Sequence, residues 1–358
     1  MLPYIEILDK NSRQVTYIIE PNEVWLEQCY YTVGEFEVYT RATEEALAAL
    51  VVGNYVKIPN KPYLWLIEAV EYSFSTDKGR MISATGREAK AILEKRIIAN
   101  TTTLSTDLIA SVNNLVLKHA GANALSYRKI VGLTVAESSV VQTAEATQVS
   151  YENLLSFTDE VLKAYGIGAK LTIDGTNLVY TIYRGEDKHE SIIFSQSYDN
   201  LLSSTYKKDV TNKRGTAYIG GIGEGLDRVF NIYDVNGLST GINRAEIFID
   251  AKDIATKYED EAGTEHELDL TNATDLATYK GWLAKRGQEK LAEYIPTEAF
   301  SGEIDTNNSL YEYGVDYSLG DIVRVQDEYF GFYTDARIIK HTISQDTGRY
   351  SENIEYEN

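Results

Sequence analysis

The feature that most constrains this chain is its first hundred residues, which break into short alternating apolar and polar runs separated by polar turns. Tyr4-Ile5-Glu6-Ile7-Leu8 and Arg13-Gln14-Val15-Thr16-Tyr17-Ile18-Ile19 flank Asp9-Lys10-Asn11-Ser12 and read as a hairpin. Segments 24–31, 34–39, 54–58, 63–74 and 80–85 continue the pattern, and Asp77-Lys78-Gly79 supplies the glycine of a tight turn. Seven such strands with polar turns predict a small barrel or sandwich. Tyrosine use points the same way: 27 Tyr stand against 9 Phe and 3 Trp. Tyrosine favours strands and keeps a polar tip, which suits half-buried sheets and wet subunit interfaces.

Residues 86–98 switch to helical spacing, with Ala89, Ile92, Leu93 and Ile97 on one face. Residues 99–190 are mixed. Ser105 or Thr106 is the expected cap of a helix reaching about His119, with Leu108, Ile109, Val112, Leu115 and Val116 as its apolar stripe. A second helix is expected over 151–165, begun by Ser150 and ended by Gly166, then a hairpin of 171–173 and 178–183. Strands return at 192–194, 201–207, 215–219, 228–233 and 245–250. A long helix over about 275–294 follows, stopped by Pro296. The last strands are 321–325, 333–343 and one after Thr347-Gly348.

The fold expected is α+β, mostly β, with two β-barrel domains and α+β insertion domains. The first barrel covers 1–98 and is completed by 191–245, the inserted α+β domain is 99–190, and 246–358 is a second β-barrel module carrying the long helix. The order β, α+β, β, helix plus β is a loose duplication.

Charge excludes whole classes of function. Lys+Arg 34 against Asp+Glu 54 gives a net charge of −20, the wrong sign for binding nucleic acid phosphates or a membrane surface. Residues 246–358 hold 25 acidic and 10 basic residues, net −15, and form a distinct acidic module. Cys29 is the one cysteine, so no intramolecular disulfide forms, and its apolar surroundings predict a buried structural thiol. No secretory signal opens the chain. The apolar run Ala46 to Val52 is far short of the roughly 20 residues of a membrane span. A soluble protein synthesised in a cytoplasm is expected.

No catalytic constellation emerges. Gly237-Leu238-Ser239-Thr240-Gly241 fits the G-x-S-x-G elbow of serine hydrolases, with His266 and His341 following. That elbow needs a helix directly after it, and 242–249 alternates like a strand, so a turn between strands is expected. Gly220-Gly221-Ile222-Gly223-Glu224-Gly225 fits neither phosphate-loop spacing, and Glu224 would repel a phosphate; glycines in a strand corner or close against another backbone fit better. His119, His189, His266 and His341 have no metal-ligand spacing. The acidic run 259–269 (Glu259, Asp260, Glu261, Glu265, Glu267, Asp269) lacks the ligand order of an EF-hand and reads as a solvated loop. Catalytic, cofactor-binding and metal-binding residues are all expected to be absent.

Three segments carry a resemblance to a known family: Tyr31 to Val38 with Gly53 to Ile58; Ile82 to Ile98; and Ile193 to Leu201, continued by Tyr206 and Asn212 to Gly221. From about Leu2 to Ile343 the chain resembles the tail-hub, or tail-tip, structural proteins of long-tailed phages and prophages of Gram-positive hosts, which are similar to the baseplate hub of contractile phages. The resemblance implies a homotrimeric virion protein, not an enzyme, at the tail tip. Two barrels per chain would alternate around a threefold axis to imitate a sixfold ring. It implies as partners the distal tail protein, the tape-measure protein, and receptor-binding proteins or tail fibres, with a role in DNA ejection. DNA would pass through the lumen without specific binding, and carboxylates of the acidic module are expected to face it. Larger relatives carry C-terminal extensions, and none is expected after the last strand here. The alternative is a receptor- or carbohydrate-binding module of a phage tail, using Trp25, Trp65 or Trp282. Trp282 and Trp65 are expected to face inward.

Overall fold

The computed structural model describes residues 2–144, 147–235, 237, 239–259, 265–294, 297–304, 310–329, 331–346 and 348–357. The chain is mostly β, with 42% strand and 19% helix. Two compact units are present: Met1–Tyr206 with Ala299–Asn358, and Lys207–Glu298.

The opening strands form as the alternation predicts: β1 (Ile5–Leu8), β2 (Val15–Ile19), β3 (Glu23–Cys29), β4 (Glu35–Arg41), β5 (Tyr55–Lys57), β6 (Leu64–Ser75) and β7 (Gly79–Glu88), with helix α1 (Glu44–Ala49) between β4 and β5. They lie side by side in the order β3-β4-β7-β6-β5-β1-β2. Their inner face buries Ile5, Ile7, Leu26, Phe36, Val38, Trp65, Ile67 and Ile82 in one core. The Thr43 hydroxyl caps α1 by accepting from the Ala46 N–H at 3.1 Å. At Gly86 a Cβ would lie 1.9 Å from the Leu66 carbonyl oxygen. Only glycine fits there, beside the bulge between Ile67 and Ala69 of β6.

The helix expected over 86–98 is replaced. β7 runs on to Glu88, which pairs with Trp65, and a 3-10 helix spans Ala89–Lys95. Sheet pairing on both edges of β7 takes residues that periodicity alone assigns to a helix.

Next come β8 (Thr102–Leu104), α2 (Leu108–His119), β9 (Leu133–Val135), β10 (Thr147–Val149), α3 (Leu154–Lys163), β11 (Gly168–Asp174) and β12 (Asn177–Tyr183). The caps differ from those expected. Asp107 caps α2, accepting from the Ala110 N–H, while the Ser105 hydroxyl is engaged with Ser111 at 2.9 Å. Asn153, not Ser150, caps α3. The hairpin β11–β12 closes at Asp174↔Asn177 with Gly175 at φ 59°, and β9 joins β12 in parallel. Leu108, Val112 and Leu115 of α2, Leu154 and Leu162 of α3, and Leu171 and Tyr180 of the hairpin share one core. Helices packed on a small sheet make an α+β layer, and its core also takes in Leu8, Leu64 and Leu66 of the opening strands.

Segment 191–245 is divided: its first two strands join the same large sheet as β1–β7, and the rest form a sheet of their own. β13 (Ile193–Ser195) pairs with a strand at Ile322–Asp327, and β14 (Leu201–Asp209) with one at Thr297–Ile304. β15 (Thr216–Gly220) and β16 (Phe230–Asp234) form a separate sheet with β17 (Glu246–Asp250), antiparallel and parallel to β15 respectively. In this second unit β18 (Lys257–Glu259) and β19 (Glu265–Glu267) make a small ribbon, and α4 (Ala273–Leu291) packs on one face of the three-stranded sheet. α4 starts at its Asn272 cap and ends at Leu291; Pro296, the expected stop, lies outside the described residues. Tyr279, Leu283, Gly287 and Leu291 form its buried stripe. A Cβ on Gly287 would stand 2.8 Å from the Ile219 side chain, so glycine sets the helix–sheet approach.

The chain returns to the first unit as β20 (Thr297–Ile304), β21 (Ile322–Asp327), β22 (Phe332–Gln345) and β23 (Tyr350–Glu357); Thr347 of the expected final turn lies outside the described residues. β22 is the fork of the whole sheet. Its first half pairs with β21 (Val325↔Thr334) and its second half with β3 (Ser344↔Trp25), while β23 lines its other edge. A register shift between Ile338 and Lys340 marks the changeover, where the Tyr30 N–H donates to the Ile339 carbonyl at 2.8 Å. Among the described residues thirteen strands join in one sheet. Among the described residues it closes no barrel, because β22 serves both halves instead of leaving each to close on itself. Beyond the fork lies a second core of Phe194, Tyr317, Val323, Val325, Ile338, Ile354 and Tyr356.

Candidate functional site

The residues singled out in the sequence fall on both units. Ser239 lies in the loop between β16 and β17, its hydroxyl donating to Asp234 Oδ1 at 3.0 Å. A single 3-10 turn, Gly241–Asn243, and then β17 follow it, so the strand-to-helix elbow is absent; Leu238 of that motif lies outside the described residues. The glycine run packs closely, against backbone at Gly223, where a Cβ would lie 2.5 Å from the Asp227 carbonyl oxygen, and against side chains at Gly220 and Gly221. Cβ atoms on Gly221 and Gly220 would meet the Tyr279 ring and the Arg228 guanidinium at 2.7 and 2.6 Å. Arg228 donates to the Gly221 and Gly220 carbonyls at 3.0 and 2.8 Å.

The histidines are dispersed. His119 is buried in α2, its imidazole pushed down to about 4 by burial and by the charges of Arg128 and Lys118. His189 contacts Asp187 at 2.5 Å. His266 is on β19. His341 is buried, 2.8 Å from Glu352, and stacks on Tyr313 with centroids 3.8 Å apart. Among the described residues no three His, Cys, Asp or Glu side chains are grouped to hold a metal ion; 260–264 of the acidic run lie outside them. Cys29 is buried and unpaired, its thiol pushed up to about 12 by burial and by Glu88. Trp65 is in the core, and its indole donates to the Glu27 carbonyl at 2.7 Å. Trp282 packs beside Tyr279. Trp25 is partly exposed.

Three cores of the first unit meet at a polar junction that sequence reading missed. Tyr30 is fully buried, with glycine the only residue that fits at Gly168 and Gly320, where a Cβ would approach its ring to 2.4 Å. Its hydroxyl lies 3.2 Å from the Gly166 carbonyl and accepts from the Gly185 N–H at 3.4 Å. Glu88 accepts from the backbone N–H groups of Gly34 at 2.8 Å and Cys29 at 3.2 Å. Burial pushes its carboxyl up to about 7 against those hydrogen bonds and the charge of Lys90. Lys90 itself is buried and pairs with Asp159 at 2.9 Å. The cavity beside Glu88 is about 20 Å³, room for one water and no substrate. The junction locks strands to helices.

The second unit exposes what the first conceals. Tyr218 pairs laterally with both Ile232 and Phe248, and Gly220 with Phe230, so these side chains share the sheet face opposite α4. Phe230, Ile232 and Phe248 are 47%, 50% and 58% exposed. Arg228 lies 5.5 Å from both phenylalanine rings, and Arg244 lies 5.9 Å from Tyr218. The available signal was that β16 and β17 carry apolar residues on both faces, a pattern that reads as full burial.

Solved structures share this combination of a sheet forked at one long strand and an α+β insertion. The tail protein from Neisseria meningitidis MC58 matches with TM-score 0.58 at 10% identity, covering 99% of this chain and 96% of that one. The 43 kDa tail protein of prophage MuSo2 from Shewanella oneidensis gives 0.60 at 15%, covering 99% and 98%. Prophage tail protein gp18 from Listeria monocytogenes EGD-e gives 0.51 at 13%, covering 99% and 94%. A model of the Siphovirus ReqiPepy6 Gp37-like protein family matches residues 4–355, and the chain belongs to that family. No curated protein matches the sequence. The chain is thus a member of a siphovirus protein family and has the fold of phage and prophage tail proteins.

Proposed function

We propose that the chain forms the trimeric hub at the tail tip, closing the tail tube and joining the distal tail protein to the end of the tape-measure protein. One observation carries this reading: β22 joins two β-halves, each with its own core. A threefold assembly that must meet a sixfold tube needs two comparable β-halves per chain. In this reading the halves act as the two barrels of the hub, residues 99–190 are the peripheral domain, and the open face of β15–β17 is a subunit or partner contact.

Light scattering tests it. A species of about 120 kDa, three times the 40.2 kDa chain, is expected alone or with the distal tail protein; a monomer that ignores that partner overturns the reading. Carboxylates of 246–358 line the lumen and let DNA slide during ejection. Reversing several to Lys should slow ejection, and unchanged kinetics would remove the lumen from the reading.

A further inference from the structure

The outer face of the first unit's sheet holds a groove that the hub role does not use. Strand register sets Ser351, Ser344, Trp25 and Glu37 in one lateral row, with Glu23 and Tyr39 in the next. These alternate with Val24, Leu26 and Val38, which point into the core. The groove has a volume of about 720 Å³, within the range of small-molecule sites. Lys78, at the β6–β7 turn, overhangs it with its ammonium 5.5 Å from the Tyr39 ring.

Two tryptophans of the same sheet differ in a way that marks the groove. The Trp65 indole N–H is buried and satisfied by the Glu27 carbonyl. Trp25 stands on the opposite face, partly exposed, and among the described residues its N–H makes no hydrogen bond. Its neighbours are similarly uncommitted. Glu23 and Glu37 join no ion pair among the described residues, and Glu37 accepts only the Ser83 hydroxyl, at 3.0 Å.

We propose that this groove binds a neutral saccharide. A sugar ring offers a face of C–H groups to an aromatic platform and a rim of hydroxyls to charged acceptors. Trp25 supplies the platform, with its N–H as donor, and the carboxylates of Glu23 and Glu37 accept from the hydroxyls. Glu23, Glu37 and Asp346 outnumber Lys78 and Arg349 along the groove, and on a chain of net charge −20 this balance disfavours an anionic polymer. An added peptide strand is disfavoured because β3, β4 and β22 are each paired on both edges at this place.

Saturation-transfer NMR of the full chain with chitohexaose, cellohexaose and maltohexaose, and a hyaluronan oligosaccharide as anionic control, tests this. At least one neutral probe should bind. Trp25→Ala should weaken it by about 10-fold or more, Trp25→Phe less, and Glu37→Gln by several-fold. Binding of no neutral probe, binding of hyaluronan alone, or unchanged affinity in Trp25→Ala overturns the proposal. If Trp25→Ala does not fold by circular dichroism, unchanged affinity in Glu37→Gln overturns it. A folded Trp25→Ala chain that keeps its saccharide but loses its oligomer also overturns it, making the face a subunit contact. Saccharide binding by a chain that stays monomeric with its partner would sink the hub reading and leave this one standing.

Discussion

The sheet built from β1 to β7 and the sheet of β15 to β17 are both twisted β layers, but they distribute apolar side chains differently. In the first, Val24, Leu26, Phe36, Val38 and Ile82 face a core, while Glu23, Trp25, Glu37 and Ser83 face outward. In the second, Ala217, Ile219 and Ile249 pack on α4, and Tyr218, Phe230, Ile232 and Phe248 occupy the other face uncovered. A sheet with one polar face is complete within its own chain. A sheet that is apolar on both faces and covered on one leaves the other open to a further contact.

The strongest way to break this comparison is Trp65→Ala. It removes a fully buried indole and its bond to Glu27, and should cost about 3–5 kcal/mol. In calorimetry the loss should fall on the first unit alone, with hydrogen exchange in β15–β17 unchanged; equal loss in both would show that they do not stand on separate cores.

A smaller effect comes from Glu88 through pH. Its folded pKa is raised from 4.5 to about 7 by burial, so its contribution to stability is fully present below about pH 4.5 and is lost as pH rises through 7. Glu88→Gln keeps an acceptor for the Gly34 and Cys29 N–H groups and should flatten that fall. A urea midpoint that drops as steeply in the variant between pH 4.5 and 8 would contradict it. His119 has the opposite sign: lowered from 6.5 to about 4, it favours the fold above pH 6.5, and that stability is lost as pH falls toward 4.

The smallest effect on folding, and the sharpest on the comparison, is Phe248→Ser. At an exposed position it should change stability by no more than about 0.5 kcal/mol, yet weaken assembly measured by sedimentation. Unaltered assembly would mean that the open face is not a contact.

Much of the first unit was legible from the sequence. The hairpins at Asp9–Ser12 and Asp174–Asn177, the seven opening strands and the stripes of α2 and α3 follow from alternation, turn residues and helical spacing. Caps were harder, because Ser105, Thr106 and Asp107 can all cap a helix, and only the position of the Ala110 N–H selects Asp107. The open face of β15–β17 was not legible, since Phe-x-Ile and Ile-Phe-Ile look the same whether a neighbour covers them or not. The Glu88 junction was equally hidden: its members lie far apart in sequence, and no motif links Tyr30, Glu88 and Asp159. The outer-face groove was half visible, in that Trp25 was singled out but the residues around it come from four strands.

By itself the sequence determined most of the opening strands, the three longer helices and the inward stripes of those helices. Tertiary structure decided who neighbours whom. Side-chain periodicity selects a face, but strand edges pair through backbone N–H and C=O groups that are alike in every residue. Nothing local could therefore announce that β22 would divide its edge between β21 and β3, or that β15, β16 and β17 would leave the large sheet to form their own.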